Sequence, residues 1–172
     1  MEAIPMEVID MADDFFSHLN SKERNKISDN YYLEQPHLSK LYRDWLPFIK
    51  NKNTNENSQY LYLIICRSYK YYAVEMPVIS NKVVMATHAR FVVMTKEKVN
   101  PPLTAFDMLT KMKTVIGQES LVDYLILKLH GNDETPVLYK SQEDLQTIFT
   151  QIIVLLLALN DEIKKHISNE TT

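Results

Sequence analysis

The sequence predicts an α+β domain: an antiparallel sheet with a long C-terminal helix, preceded by a helical N-terminal segment. Three observations lead there. Residues 59–76 are dense in Tyr, Leu and Ile, residue types that favour strands. Residues 82–94 alternate, with Val83, Met85, Thr87, Ala89, Phe91 and Val93 on one side and Lys82, His88 and Arg90 on the other. Residues 141–167 carry two adjacent apolar stripes at helical spacing, one of Ile148, Ile152, Leu155 and Leu159, the other of Phe149, Ile153, Leu156 and Leu157.

In chain order, a helix is expected over residues 4–20, where Ile4, Val8, Met11 and Phe15 repeat at helical spacing. Residues 21–36 are polar. A short helix over 37–50 gathers Leu38, Leu41, Tyr42 and Trp45 on one face and is stopped or kinked by Pro47. Residues 51–58, an Asn-rich polar run, read as a linker. Strands follow at 59–68, 69–76 and 82–94. Thr104, with Asp107 three residues later, has the capping-box arrangement and opens a short helix over 104–115. A nearly continuous apolar run at 121–129 reads as a central strand, Gly131-Asn132-Asp133 as a turn, and 136–140 as a further short strand. Ser141 and Asp144 form the capping box of the last helix. No internal repeat is visible, and residues 1–172 read as one domain: a helical segment (1–50), the linker (51–58), and the sheet with its closing helix (59–172).

Composition excludes several function classes. Only Gly117 and Gly131 are present, too few for a phosphate-cradling P-loop or a dinucleotide fingerprint. The net charge of −3 supplies no polycation for nucleic acid. Cys66 is the single cysteine, so no internal disulfide can form, and its apolar setting predicts a buried thiol. His18, His37, His88, His130 and His166 show no metal-ligand spacing, and no nucleophile motif occurs. No enzyme, cofactor or metal is therefore expected. The acidic N-terminus lacks the features of a signal peptide, and the longest apolar run, residues 152–159, is short of a membrane span of about 20. A soluble, intracellular protein, cytoplasmic or nuclear, is expected.

The run at residues 80–95, which places Val83, Val84 and Met85 ahead of Arg90, Phe91 and Val92, is similar to the paired strands of GRAM and myosin-I tail-homology domains. Together with the closing strands and helix, residues 59–165 resemble the pleckstrin-homology superfold. The resemblance implies a binding platform for lipid head groups or peptides, and it assigns no individual residue.

Two candidate surfaces follow. Residues 67–113 carry a net charge of +5 against −8 for the rest, which nominates Lys82, His88, Arg90, Lys96 and Lys98 for anionic lipid head groups or an acidic ligand. The doubly apolar C-terminal helix needs a second covering, which nominates Ile148, Ile152, Leu155 and Leu159 as a partner interface. The leading expectation is a non-catalytic interaction module, an adaptor or complex subunit that binds a protein partner, with a second copy of the chain among the candidates. The first helix carries a matching stripe of Val8, Met11, Phe15 and Phe16 and is expected to cover the C-terminal helix. Deleting residues 1–50 is then expected to cause self-association visible by light scattering, because soluble monomers rarely expose contiguous apolar areas beyond a few hundred Å². A truncated chain that stays monomeric and melts at the full-length temperature would show that these residues cover nothing.

Overall fold

A computed structural model describes residues 2–73, 76–95, 104–130 and 141–170, and among them every regular element is a helix. In order these are α1 (Met6–Ser17), α2 (Ser21–Glu34), α3 (Pro36–Trp45), which runs into a 3-10 turn at Leu46–Phe48, α4 (Lys52–Tyr72), α5 (Asn81–Thr95), α6 (Ala105–Ile116), α7 (Glu119–His130) and α8 (Gln142–Glu170).

The expected antiparallel sheet is therefore replaced by helices. The strand expected at 59–68 and residues 69–72 of the next belong to one helix, α4, and the linker at 51–58 supplies its cap and first two turns. Asn51 Oδ1 accepts the Thr54 N–H at 3.1 Å, which satisfies a donor that the first turn would otherwise strand. From Leu61 to Cys66 every residue of α4 is buried, so the run carries no polar face to reveal its period. The alternating strand at 82–94 is α5. Ser80 caps it, its carbonyl accepting the Val84 N–H at 3.1 Å and its Oγ the Val83 N–H at 3.4 Å. Val84, Thr87 and Phe91 point inward, while Met85 and Val93 are exposed, so the alternation of side chains does not hold. Residues 121–129 lie in α7. Burial has overridden the strand preference of the β-branched and aromatic residues throughout.

With no strand among the described residues, the pleckstrin-homology resemblance over 59–165 falls as well. The turn at 131–133 and the strand at 136–140 lie outside the described residues. Of the expected helices, 4–20 is realised as α1, 37–50 as α3 and its 3-10 turn, 104–115 as α6 and 141–167 as α8. Asp107 N–H donates to Thr104 Oγ1 and Thr104 N–H to Asp107 Oδ2, both at 3.1 Å, closing the capping box. Asp144 N–H donates to Ser141 Oγ at 3.1 Å, while its carboxylate accepts the distant Lys50 N–H at 3.1 Å. Helix α2 fills a segment read only as polar. Its signal is Asn20 followed by Glu23, another complete capping box.

Part of the packing plan of the first half recurs in the second, although the residues share little identity and the packing of α6 and α3 on α8 has no counterpart of like extent in α2 and α7 on α4. α1 packs on α4 as α5 packs on α8, α2 on α3 as α6 on α7, and α3 on α5 as α7 on α1. Buried Ile4, Ile9, Ala12 and Phe16 correspond at one constant offset to buried Ile79, Val84, Thr87 and Phe91. Likewise Leu38, Ser39 and Tyr42 of α3 correspond to Leu121, Val122 and Leu125 of α7. Thr54, Ser58, Tyr62, Ile65 and Tyr69 of α4 correspond to Asp144, Ile148, Ile152, Leu155 and Leu159 of α8. The repeat lies in which positions are buried, where identity of residue type does not display it.

Two buried glutamines join the halves, each immediately preceding a helix. Gln35, before α3, donates from Nε2 to the Pro77 carbonyl at 2.8 Å and accepts the Ile79 N–H at 2.9 Å. Gln118, before α7, accepts the Ile4 N–H at 2.7 Å and donates to the Glu2 carbonyl at 3.4 Å and to Asn160 Oδ1 at 3.2 Å. Each amide thus holds the extended lead-in to the first helix of the other half, and each lead-in inserts a fully buried isoleucine, Ile4 or Ile79.

Helix α8 occupies the centre. Every residue from Ile148 to Asn160 is buried, covered by α3, α4, α5 and α6. The expectation that the first helix covers α8 is corrected: α1 packs on α4 and α7, and it is α3 that reaches α8 from the N-terminal segment. The stretch Gln142–His166 is long and apolar enough to cross a membrane, and 78% of its apolar 18-residue window is buried inside the protein, as in a core helix.

Gln118→Ala should cost about 2–4 kcal/mol, because the Ile4 N–H and the Asn160 amide lose their partner in the interior. Gln35→Ala should cost a comparable amount, since it strands the matching groups of Pro77 and Ile79. Urea denaturation checks both, and a loss below about 0.5 kcal/mol in either would show that the lead-ins are held by their isoleucines alone.

Candidate functional site

Helix α5 divides the nominated basic residues. Lys82 and Arg90 lie on one edge, in an open groove of about 330 Å³ between α5 and α8 that Val83, Ala86, Asp161 and Lys165 also line. Arg90 pairs with Asp161 at 2.9 Å and Lys165 with Glu162 at 3.2 Å, so carboxylates already answer part of the charge in this groove. His88 lies elsewhere, its ring edge-on to Trp45 with centroids 5.9 Å apart. Lys96 and Lys98 lie outside the described residues.

The other nominated set, Ile148, Ile152, Leu155 and Leu159, is buried by the chain's own helices. In this arrangement it presents nothing to a partner. Cys66 is also fully buried. Desolvation pushes its thiol up to about 12, against the opposing effect of a hydrogen bond with Tyr62, so the nucleophilic thiolate is suppressed.

An exposed apolar surface combines α5 with the end of α3 and the 3-10 turn that follows it. Met85, Ala89 and Val93 succeed one another on the outward side of α5, with Met85 58% and Val93 67% exposed. His88 and Val92 carry the surface sideways to Trp45, whose ring lies 6.2 Å from that of Phe48, itself 64% exposed. α5 is therefore apolar on two faces, Val84, Thr87 and Phe91 facing inward and Met85, Ala89 and Val93 outward. A reading of the segment as a strand places Met85, Phe91 and Val93 together on the core side, which hides this surface. Trp45 is marked in the sequence only as part of the apolar face of its helix, and Phe48 is not marked at all.

A second, polar site occupies the matching place in the other half. A cleft of about 370 Å³ is lined by Arg24 and Ser21 of α2, Glu56 and Tyr60 of α4, and Lys128 of α7, with Asn25 at its edge. Beneath it Lys128 Nζ pairs with Asp13 at 2.8 Å, and the Tyr60 hydroxyl donates to the same carboxylate. The buried Tyr124 hydroxyl lies against this carboxylate without reaching hydrogen-bond geometry. Partial burial alone would raise the Asp13 carboxyl, yet the bonds from Lys128 and Tyr60 and the Lys128 charge outweigh it and hold the group below its ordinary 3.8. At the repeat's constant offsets, Asp13 and Lys128 correspond to His88 and Trp45. One half thus places an ion pair where the other places an aromatic contact.

Among the described residues no three His, Cys, Asp or Glu side chains converge to hold a metal ion. No known protein family, curated protein or solved structure matches the chain.

At pH 7, Asp13→Asn should cost about 1–2 kcal/mol, between the values for exposed and fully buried pairs. Because the folded carboxyl is held below 3.8, its contribution is complete above that value and is lost as pH falls through the depressed one. The stability gap between wild type and variant, measured by denaturation at pH 7, 5 and 3, should narrow only at the lowest pH. A gap unchanged at pH 3 would assign the effect to packing.

Proposed function

We propose that this chain is a non-catalytic protein-interaction module, an adaptor or complex subunit, which receives an amphipathic helix of its partner on the outward face of α5. The observation that carries this is the exposure of Met85 and Val93 on α5 and of Phe48 beside Trp45, whose ring meets α5 at His88. The fold does not require apolar residues there. At the same positions of α1 the repeat carries Asp10, Asp14 and His18, all exposed.

The surface has the anatomy of a helix-docking site. Ala86 and Ala89 are exposed at its middle and keep the centre of α5 low, which permits close approach of another helix. Trp45 and Phe48 form an aromatic edge, and aromatic side chains dominate binding energy at protein interfaces. Lys82 and Arg90 form the opposite edge, and no ion pair involves Lys82 among the described residues. The complementary ligand is a helix with an apolar stripe and acidic residues along one side. The charge at this edge also fits anionic lipid head groups, although Asp161 already answers Arg90.

A photoactivatable crosslinker placed at Val93 should capture a protein segment of this description in the native cell, whereas one at Asp14 should not. A synthetic peptide of the captured segment should bind the wild-type chain, and Met85→Glu or Phe48→Ala should weaken it at least about tenfold. Equal capture at both positions, or peptide binding indifferent to both substitutions, would overturn the proposal. Capture of a second copy of the chain would replace the foreign partner with self-association, and binding to anionic vesicles without any crosslinked protein would favour the lipid reading.

A further inference from the structure

We infer that the polar cleft between α2, α4 and α7 binds a small molecule through a phosphate group, at a site separate from the α5 surface. Arg24 is half-buried in the wall of this cleft, its guanidinium over the Tyr60 ring at 5.7 Å. No carboxylate lies within ion-pair distance of it among the described residues. A guanidinium so placed has given up part of its hydration and received no anion in exchange, leaving its fork of N–H donors to be answered from the cleft.

Lys128 enters from the α7 side. Asp13 takes one of its three N–H donors, so the ammonium keeps donors for a ligand while its position is fixed from below. The one acid lining the cleft, Glu56, is itself associated with Lys52 at 3.8 Å. Ser21 adds a hydroxyl from the first turn of α2. A planar fork, a fixed ammonium and a hydroxyl around one space suit a tetrahedral oxyanion, which can accept from all three directions.

Size refines the class. At about 370 Å³ the cleft is larger than a bare phosphate needs, so it leaves room for a small organic body beside the anion. Arg24 lies over the Tyr60 ring and Phe16 meets that ring at a steep angle, while Ser17, Ser21 and Asn25 make the lining polar. The ligand is therefore a phosphomonoester with a polar, hydroxylated body, either free in solution or presented as a lipid head group.

The test uses the full chain with inorganic phosphate and glycerol 3-phosphate as soluble probes, followed by calorimetry and phosphorus NMR, and vesicles containing phosphatidic acid as the lipid arm. Wild type should bind glycerol 3-phosphate saturably at one site, and more tightly than inorganic phosphate. Arg24→Gln should weaken that binding at least about tenfold without changing the melting temperature of the unliganded protein, and Lys82→Glu should leave it intact. Binding to vesicles alone, lost in Arg24→Gln and retained in Lys82→Glu, would identify the lipid as the source of the phosphate. Non-saturable binding in every arm, equal affinity in Arg24→Gln, or an equal loss in Lys82→Glu would overturn the inference.

Discussion

A helix that is apolar around its whole circumference can persist in water only if other elements cover every side of it. α8 imposes that condition on this protein. Each of its buried Leu, Ile and Phe side chains contributes about 1.5–3 kcal/mol when removed from water, and they face α3, α4, α5 and α6 in turn. No single layer could cover them, which is why these four helices surround α8 and do not pack on one side of it. Two polar groups of α8, one in its first turn and one at the close of its continuous buried stretch, are fitted to the same arrangement. Asp144 takes the Lys50 backbone N–H and Asn160 donates to the Ile116 carbonyl at 2.5 Å, so the first turn of the helix and the close of that stretch are tied to the shell around it.

What the sequence displays of this follows from where its apolar residues meet polar ones. α1, α3, α6 and α8 were legible because a stripe, a capping residue or both mark them. α4, α5 and α7 were not, for a shared physical reason. A segment buried on most sides loses the polar positions that reveal a 3.6-residue period, and what remains is a run of Tyr, Ile, Leu and Val that equally suits a central strand. Length could have arbitrated for α4 had the Asn-rich run been taken as its first turns, with Asn51 as the cap. For α5 the decisive marks are Ser80 as a cap and the spacing of Val84, Thr87 and Phe91. α2 has almost no apolar face, and only its capping box announces it.

The candidate site was less legible than the fold. Lys82 and Arg90 do lie together, on the edge of the α5 surface, because positions eight apart return to one side of a helix. His88 parts from them for the same reason and joins Trp45. The stripe of Ile148, Ile152, Leu155 and Leu159 shows the limit of reading a surface from a single helix. Its apolar character is real, and the need for a covering was correctly inferred, but the coverings come from within the chain. Recognising the exposed patch required knowing which side of α5 faces in, and the charged cleft required α2 and α7 to be brought together across about a hundred residues of chain.

The crossed glutamine amides bear on how the chain can be made. Synthesis delivers the polypeptide from its N-terminus, and domains that close on local contacts can fold as they emerge. Here the pocket for Ile4 does not exist until Gln118 has left the ribosome, and Gln35 has nothing to hold until Pro77 and Ile79 follow it. α8, the centre of the structure, is made after every helix that covers it. The earlier helices must therefore wait with their inward faces uncovered until α8 can enter among them, so the contacts that close this core are the late ones in sequence and not the local ones.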